Sequence, residues 1–308
     1  MSEERLKVGW IGTGVMGAAI CQHILAAGHP VTVFNRTKER AQAVIDAGGE
    51  WRDSPQEAAD GAAVVVTMVG YPADVREVIL GDDGVLGAAK PGSTIIDMTT
   101  SEPQLAREIY EKALAKGVDS LDAPVSGGDV GARKATLVIM VGGRQEAFDR
   151  ARPIFDLVGK ATLEGPPGAG QHTKVVNQIA IASGMVGVCE ALLYAFRAGL
   201  DVAKVIGTIG GGGAASFSLT NYGPRVLRGD FEPGFKIDHF VKDLGIALDE
   251  ARRMDLSLPG LALAEQLYIA ATGQGRGQKG THALVLALAK LSDIKWDSEI
   301  QGAEATTD

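Results

Sequence analysis

Through the first half of the chain, short apolar runs alternate with stretches whose apolar residues recur at helical spacing. This pattern predicts strands at residues 7–11, 31–34, 63–68, 94–97, 120–122 and 136–141, with helices between them. Alternation of that kind is the sequence form of a parallel sheet covered by helices on both faces. Helix boundaries are marked locally. Ser54-Pro55-Gln56-Glu57 offers an N-cap serine, proline in the first turn and a glutamate three residues after the cap, with Gly61 as the stop. Ser101-Glu102-Pro103-Gln104 repeats the device with glutamine, and Gly117 closes that helix.

The character changes after Gly165-Pro166-Pro167-Gly168-Ala169-Gly170. No strand-like run follows, and helical spacing dominates to the end. A long helix is predicted over 172–198, closing at Gly199; at 1.5 Å per residue it spans roughly 40 Å and reads as the link between two domains. Further helices are predicted around 203–209, 240–253, 261–271 and 281–291, before a polar tail at 297–308 expected to fray. The expected fold is thus α/β, a doubly wound parallel sheet in residues 1–168 followed by an all-α domain in 169–308. The 308 residues suit two domains.

Composition narrows the function classes. With 30 Lys and Arg against 38 Asp and Glu the formal charge is −8, which argues against binding a phosphate backbone, so no nucleic-acid partner is expected. Glycine, 41 of 308 residues, has no collagen-like period and points to tight turns and close backbone approaches. Cys21 and Cys189 each lie in an apolar, helix-like segment and read as core residues of a reduced, cytoplasmic protein. Met1-Ser2-Glu3-Glu4-Arg5 leads directly into a strand pattern, so neither a secretory leader nor a membrane association is expected.

The chemistry begins at Gly12-Thr13-Gly14-Val15-Met16-Gly17, between the first strand and the first helix. A bare GxGxxG is weak evidence, but in that strand–turn–helix context it reads as a dinucleotide-binding turn. Gly12 permits the tight turn, Gly14 admits a pyrophosphate and Gly17 allows helix and strand to pack closely. About twenty residues on, where an acidic residue would hold the ribose of NAD, the chain has Asn35, followed by Arg36, Thr37 and Lys38. A 2′-phosphate would meet a guanidinium, an amide and a hydroxyl there, so NADP(H) is expected, with NAD as the other option.

Three strand-end loops look suited to a ligand: Val69-Gly70-Tyr71-Pro72, Thr99-Thr100-Ser101, and Asp122-Ala123-Pro124-Val125-Ser126-Gly127-Gly128. In the last, a hydroxyl followed by two glycine N–H groups forms a donor-rich concavity fit for a small carboxylate, or else a plain turn. On the long helix, Lys174, Asn177 and Gln178 share one face that Ile181 and Met185 continue. A lysine on such a face would, if buried in a cleft, have its pKa lowered toward that of an acid/base catalyst; the alternative is a lysine reaching solvent from the helix start. None of the five histidines stands beside an acidic partner in a strand-end loop, and no metal-ligand spacing occurs, so no metal is expected.

Taken together, the cofactor turn Val8-Gly9-Trp10-Ile11-Gly12-Thr13-Gly14-Val15-Met16-Gly17, the loop 122–128, Gly168-Ala169-Gly170 with Lys174 and Asn177, and Phe235-Lys236-Ile237-Asp238 with Lys242-Asp243-Leu244 resemble the β-hydroxyacid dehydrogenase family over nearly the whole chain. That family includes 3-hydroxyisobutyrate dehydrogenase, tartronate semialdehyde reductase and the glyoxylate/succinic semialdehyde reductases. The resemblance implies a Rossmann-type cofactor domain and hydride transfer between NADPH and a small carboxylate-bearing semialdehyde or hydroxy acid. Lys174 would be the acid/base, Ser126, Gly127 and Gly128 would hold the carboxylate, and Asn177, with Gln178 beside it, would orient the substrate. Thr100 would contact the nicotinamide ribose, Met68 and Val69 would lie beneath the adenosine half, and Lys242 would close over the cofactor. Family members form dimers or tetramers, and apolar Leu192, Leu193, Tyr194 and Phe196 offer surface for a partner or pack within the chain. Gly273-Gln274-Gly275-Arg276-Gly277-Gln278-Lys279-Gly280 departs from the family's usual acidic residues before the final helix. The other readings are a reductase of a bulkier carbonyl or imine on the same scaffold and a non-catalytic NADPH-binding module; retained Lys174 counts against the imine branch and the module.

Overall fold

The structure is a computed structural model that describes residues 5–296, so the polar tail lies outside the described residues. Nine strands are present among the described residues: β1 Val8–Ile11, β2 Val31–Phe34, β3 Glu50–Trp51, β4 Val64–Thr67, β5 Thr94–Asp97, β6 Asp119–Asp122, β7 Val125–Ser126, β8 Leu137–Gly142 and β9 Gly159–Gly165. Between them run α1 Val15–Ala26, α2 Gln42–Asp46, α3 Pro55–Ala59, α4 Pro72–Leu80, α5 Val85–Ala88, α6 Pro103–Leu114, α7 Gly128–Lys134 and α8 Gln145–Phe155. Then follow α9 Ala169–Arg197, α10 Val202–Ile209, α11 Gly223–Leu227, α12 Ile237–Arg253, α13 Pro259–Gly273 and α14 Leu284–Leu291. The chain divides into two compact units within α9, between Lys174 and Val175.

In the first unit the strand order β3-β2-β1-β4-β5-β6 is parallel throughout and reverses direction of growth between β1 and β4. That reversal is where open α/β sheets bind ligands, outside the carboxyl ends of the strands. Alternate residues feed opposite faces: Val8, Trp10, Val64, Val66 and Ile96 enter one core, while Ile11, Val65 and Ile95 enter the other. Two-sided burial explains why these strands read as continuous apolar runs.

The sheet departs from the expected all-parallel pattern beyond β6. β8 pairs antiparallel with both β6 and β7, and β9 then pairs parallel with β8. The link from β6 to β8 carries β7, which itself pairs antiparallel with β8, and the seven-residue α7; antiparallel neighbours need no crossover helix. The strands β3, β7 and β9 are not legible in the apolar pattern. At α3, Ser54 accepts the Glu57 N–H at 3.0 Å, as its capping signal predicts. At α6 the cap is Glu102, not Ser101, because Pro103 takes the first helical position.

The second unit is helical among the described residues, apart from one isolated bridge between Lys236 and Gly280. α9 is long and apolar enough to cross a membrane by length and composition. Its Ala182, Met185, Cys189 and Leu192 instead build the core of this unit with Phe240, Leu244, Tyr268 and Leu284. Of the four residues considered for a partner surface, Leu192 and Leu193 are buried, Phe196 packs on Trp296 at 5.5 Å, and Tyr194 is exposed. Both cysteines are buried, and that burial pushes their thiols well above the ordinary range.

His282 lies wholly inside the second unit, stacked on Tyr222 at 4.8 Å and facing Phe231, with Nε2 2.7 Å from the Asp230 carbonyl. Its Nδ1 is buried with no partner among the described residues, and burial lowers the pKa of the ring. The unfolded chain therefore takes up a proton near pH 6.5 that the folded chain resists. The stability contributed by neutral His282 is complete above that pH and is lost as pH falls through it, by at most about 1.4 kcal/mol per pH unit. Urea unfolding of both forms between pH 8 and 5 is expected to show the stability of the wild type relative to His282→Gln falling as pH falls, a difference in which the other titrating groups, common to both forms, cancel.

Candidate active site

The first strand ends at Ile11, and Gly12 turns the chain with φ +100°, a conformation that favours glycine. A Cβ at Gly12 would collide with the Met68 carbonyl oxygen, and one at Gly17 with the Gly12 carbonyl, so α1 is pressed against the ends of β1 and β4. Gly14 differs. Its backbone is ordinary (φ −65°, ψ −176°), and a Cβ there would meet nothing within 4 Å. Gly14 is the N-cap of α1, whose first turn has no side-chain cap and no acidic residue, and the neighbouring Thr13 hydroxyl is buried without a partner among the described residues. An uncapped helix start, an open approach above Gly14 and an orphaned hydroxyl fit a bound pyrophosphate.

Asn35 is committed on both ends of its amide: Oδ1 accepts the Thr13 N–H at 3.0 Å and Nδ2 donates to the Thr37 carbonyl at 2.8 Å. It shapes the loop that presents Arg36. The Arg36 side chain is 87% exposed and pairs with Asp74 at 3.3 Å, while Lys38 lies over the Trp51 ring. Met68 and Val69 follow β4, and the Val69 N–H donates to the Thr99 hydroxyl at 3.0 Å, tying that loop to the one carrying Thr100. Because the space above Gly14 is open and its backbone unstrained, Gly14→Ala is expected to keep the thermal midpoint of the wild type. Its dinucleotide dissociation constant, measured by titration calorimetry, should rise about tenfold or more, the cost of roughly one lost charge-assisted hydrogen bond.

The second half of the site in this unit is organised by Asp122, at the end of β6. Its carboxylate is buried and accepts the Gly168 N–H at 2.7 Å on Oδ1 and the Gln171 N–H at 2.8 Å on Oδ2. Burial pushes the Asp122 carboxyl up to about 6, against the opposing pull of those two N–H groups. The close crossing demands glycine: a Cβ at Gly142 would strike the Asp122 carboxylate, and one at Gly170 the carbonyls of Met140 and Asp122. Gly168 has φ +92°. One turn into α9, Lys174 is only 6% exposed, and its ammonium donates to the Val125 carbonyl at 2.9 Å. Val125 begins the short strand that carries Ser126, and Gly127 and Gly128 follow with φ +128° and +62° as α7 starts. Lysine, hydroxyl and glycine amides are thus gathered at the carboxyl end of the sheet.

Asn177, Gln178 and Lys242 belong to the second unit, where they form one chain of contacts. Asn177 Nδ2 donates to Gln178 Oε1 at 2.8 Å, Gln178 Nε2 donates to Asp243 Oδ2 at 2.5 Å, and Lys242 pairs with Asp243 Oδ1 at 2.9 Å. Asp243 is buried, so it holds Lys242 and the amide pair in fixed positions. Among the described residues, no group of three His, Cys, Asp or Glu is placed to hold a metal. Sequence reasoning missed three polar residues here. In the sequence, Asp122 and Asp243 stand inside motifs with no role of their own. Gln171 has one sequence signal, a glutamine between the Gly168-Ala169-Gly170 turn and Lys174 on a core-facing helix.

Comparison with known proteins identifies the family. Residues 7–174 match the NAD-binding domain of 6-phosphogluconate dehydrogenase, and residues 168–288 match the NAD-binding model of NADP-dependent 3-hydroxyisobutyrate dehydrogenase. A probable mitochondrial 3-hydroxyisobutyrate dehydrogenase-like protein of Arabidopsis thaliana is 51% identical over 95% of this chain and 88% of its own length. The 2-hydroxy-3-oxopropionate reductase of Escherichia coli is 37% identical over 94% of this chain and 99% of its own. The solved structure of Mycobacterium tuberculosis 3-hydroxyisobutyrate dehydrogenase with L-serine superposes with a TM-score of 0.85 at 31% identity, covering 92% of this chain and 99% of that one. With a dinucleotide turn at the switch point of its sheet and these relatives along nearly its whole length, the chain belongs to the β-hydroxyacid dehydrogenase family of NAD(P)-binding oxidoreductases.

Proposed function

We propose that the protein transfers hydride between NADPH and a small carboxylate-bearing semialdehyde or hydroxy acid, of the 3-hydroxyisobutyrate or 2-hydroxy-3-oxopropionate type, with Lys174 as acid/base. The observation that carries this reading is the Lys174 ammonium, buried at the carboxyl end of the sheet and hydrogen-bonded to the first residue of the Val125–Ser126 strand. The bound nicotinamide supplies the hydride in reduction and receives it in oxidation. In reduction the Lys174 ammonium donates to the carbonyl oxygen and passes its proton there as negative charge develops; in oxidation the neutral amine removes the hydroxyl proton. The Ser126 hydroxyl and the Gly127 and Gly128 amides hold the carboxylate, spending binding energy on orientation. Asn177 orients the substrate, Gln178 contacts it, and Lys242, fixed by Asp243, contacts the cofactor. Arg36, exposed beside the cofactor turn and with no carboxylate at the end of β2, favours the 2′-phosphate of NADP over NAD.

The two buried free cysteines suit a reducing compartment, and we place the protein in the cytoplasm. We read it as a homodimer or homotetramer, with exposed Val176 and Tyr194 on α9 available to a partner copy.

Initial rates with glyoxylate, succinic semialdehyde, methylmalonate semialdehyde and tartronate semialdehyde, each with NADPH and NADH, test the reading. One favoured semialdehyde with NADPH preferred is the expected result. Lys174→Ala should lower kcat by about 10²–10⁴-fold while NADPH still binds, and near-normal turnover would refute the assignment. Arg36→Ala should weaken NADPH about ten- to a hundredfold and leave NADH unchanged.

A further inference from the structure

The Gln171 side chain is completely buried, and neither end of its amide serves the helix that carries it. Nε2 donates to the Thr99 carbonyl at 2.8 Å and Oε1 accepts the Ser101 N–H at 2.9 Å. The amide orientation follows from chemistry: the Thr99 carbonyl can only accept and the Ser101 N–H can only donate. These two groups flank Thr100, so the side chain brackets that residue from both sides. The same loop reaches further back. Thr99 receives the Val69 N–H on its hydroxyl and gives its own N–H to Asp97, which also holds the Thr67 hydroxyl at 2.8 Å. Meanwhile the Gln171 main chain is anchored on Asp122, and Lys174 stands three residues on along α9.

We infer that Gln171 is a positioning residue that sets the distance between the cofactor loops after β4 and β5 and the acid/base Lys174, by clamping the main chain on both sides of Thr100 to the first turn of α9. The inference rests on the reading of Lys174 given above. Hydride transfer and proton transfer act on adjacent atoms of one substrate, so both donors must keep one register. A misplacement of about 1 Å costs on the order of 10²-fold in rate. An amide is suited to the task because it donates and accepts at once; a carboxylate of the same shape can only accept, unless it carries a proton.

Two variants separate positioning from general support. Gln171→Met removes both bonds at similar volume, and Gln171→Glu keeps the bond to Ser101 and regains the one to Thr99 only when protonated. The titratable groups around the site are Asp122, which accepts the main-chain N–H, Asp97 behind it, Lys174 one turn on, and His172 with Arg107. Gln171→Met adds no charge, so their contribution cancels in its ratio to wild-type kcat; the carboxyl of Gln171→Glu also acts on Asp122 and Lys174, so its pH profile is read against that of Gln171→Met. Gln171→Met is expected to lower kcat about 10²-fold with KM for substrate changed far less, and the kcat ratio of Gln171→Glu should rise as pH falls. A Gln171→Met kcat within about threefold of wild type, or a Gln171→Glu ratio flat with pH, overturns the inference. Should Gln171→Met fail to fold, the pH profile of Gln171→Glu is read against that of the wild type. Amide hydrogen exchange of the cofactor-free protein gives a readout independent of turnover: Ser101 should be protected in the wild type and exchange about tenfold faster or more in Gln171→Met. A wild type without activity on any semialdehyde refutes the proposed function; unchanged Ser101 exchange refutes the clamp.

Discussion

The buried carboxylate of Asp122 is the contact on which the first unit's site depends. It lies at the end of a parallel strand and takes the N–H groups of Gly168 and Gln171 into its two oxygens, so the strand end and the start of α9 are held together by one residue. The first N–H groups of a helix have no partner within it, and a carboxylate at that end satisfies them and complements the helix dipole. Burial raises the energy of the ionised form, which is why its carboxyl is pushed up to about 6 even with two donors in place. Glycines at 142, 168 and 170 are the steric condition for this contact, since side chains there would collide or be strained.

From that junction the rest of the site follows by short steps. Gln171 carries the constraint to the loop after β5, Thr99 passes it to the loop after β4, and Gly12 against the Met68 carbonyl brings it to the cofactor turn. Each step is a main-chain group held by a buried polar side chain or by close backbone contact. Such networks rigidify a site because every unpaired member would be costly. The second unit repeats the principle with Asp243, which fixes Lys242 on one oxygen and the Gln178–Asn177 amide pair on the other.

Within the turn after β1 the glycines serve different ends. Gly12 and Gly17 are required by packing within the protein, whereas Gly14 faces open space and is unstrained. A residue that the folded chain itself does not need to be glycine, at an uncapped helix start, is explained by what approaches from outside. Asn35 shows the opposite case: its amide serves the protein's own loop, and the exposed cation beside it is Arg36.

By itself the sequence determined the alternation of helices with strands β1, β2, β4, β5 and β6, the glycine-rich turn after β1, the helical second half and the common face of Lys174, Asn177 and Gln178. These rest on periodicity and on contacts within about four residues along the chain, which local order encodes. Only the tertiary structure decided that β8 turns antiparallel, that Leu192 and Leu193 are buried within the chain, and that Asp122, Gln171 and Asp243 hold the site. The partners of Gln171 are 70 and 72 residues away, and those of Asp122 are 46 and 49. A buried polar side chain must find its partner wherever the packed fold places one, and nothing in its own neighbourhood along the chain says where that is.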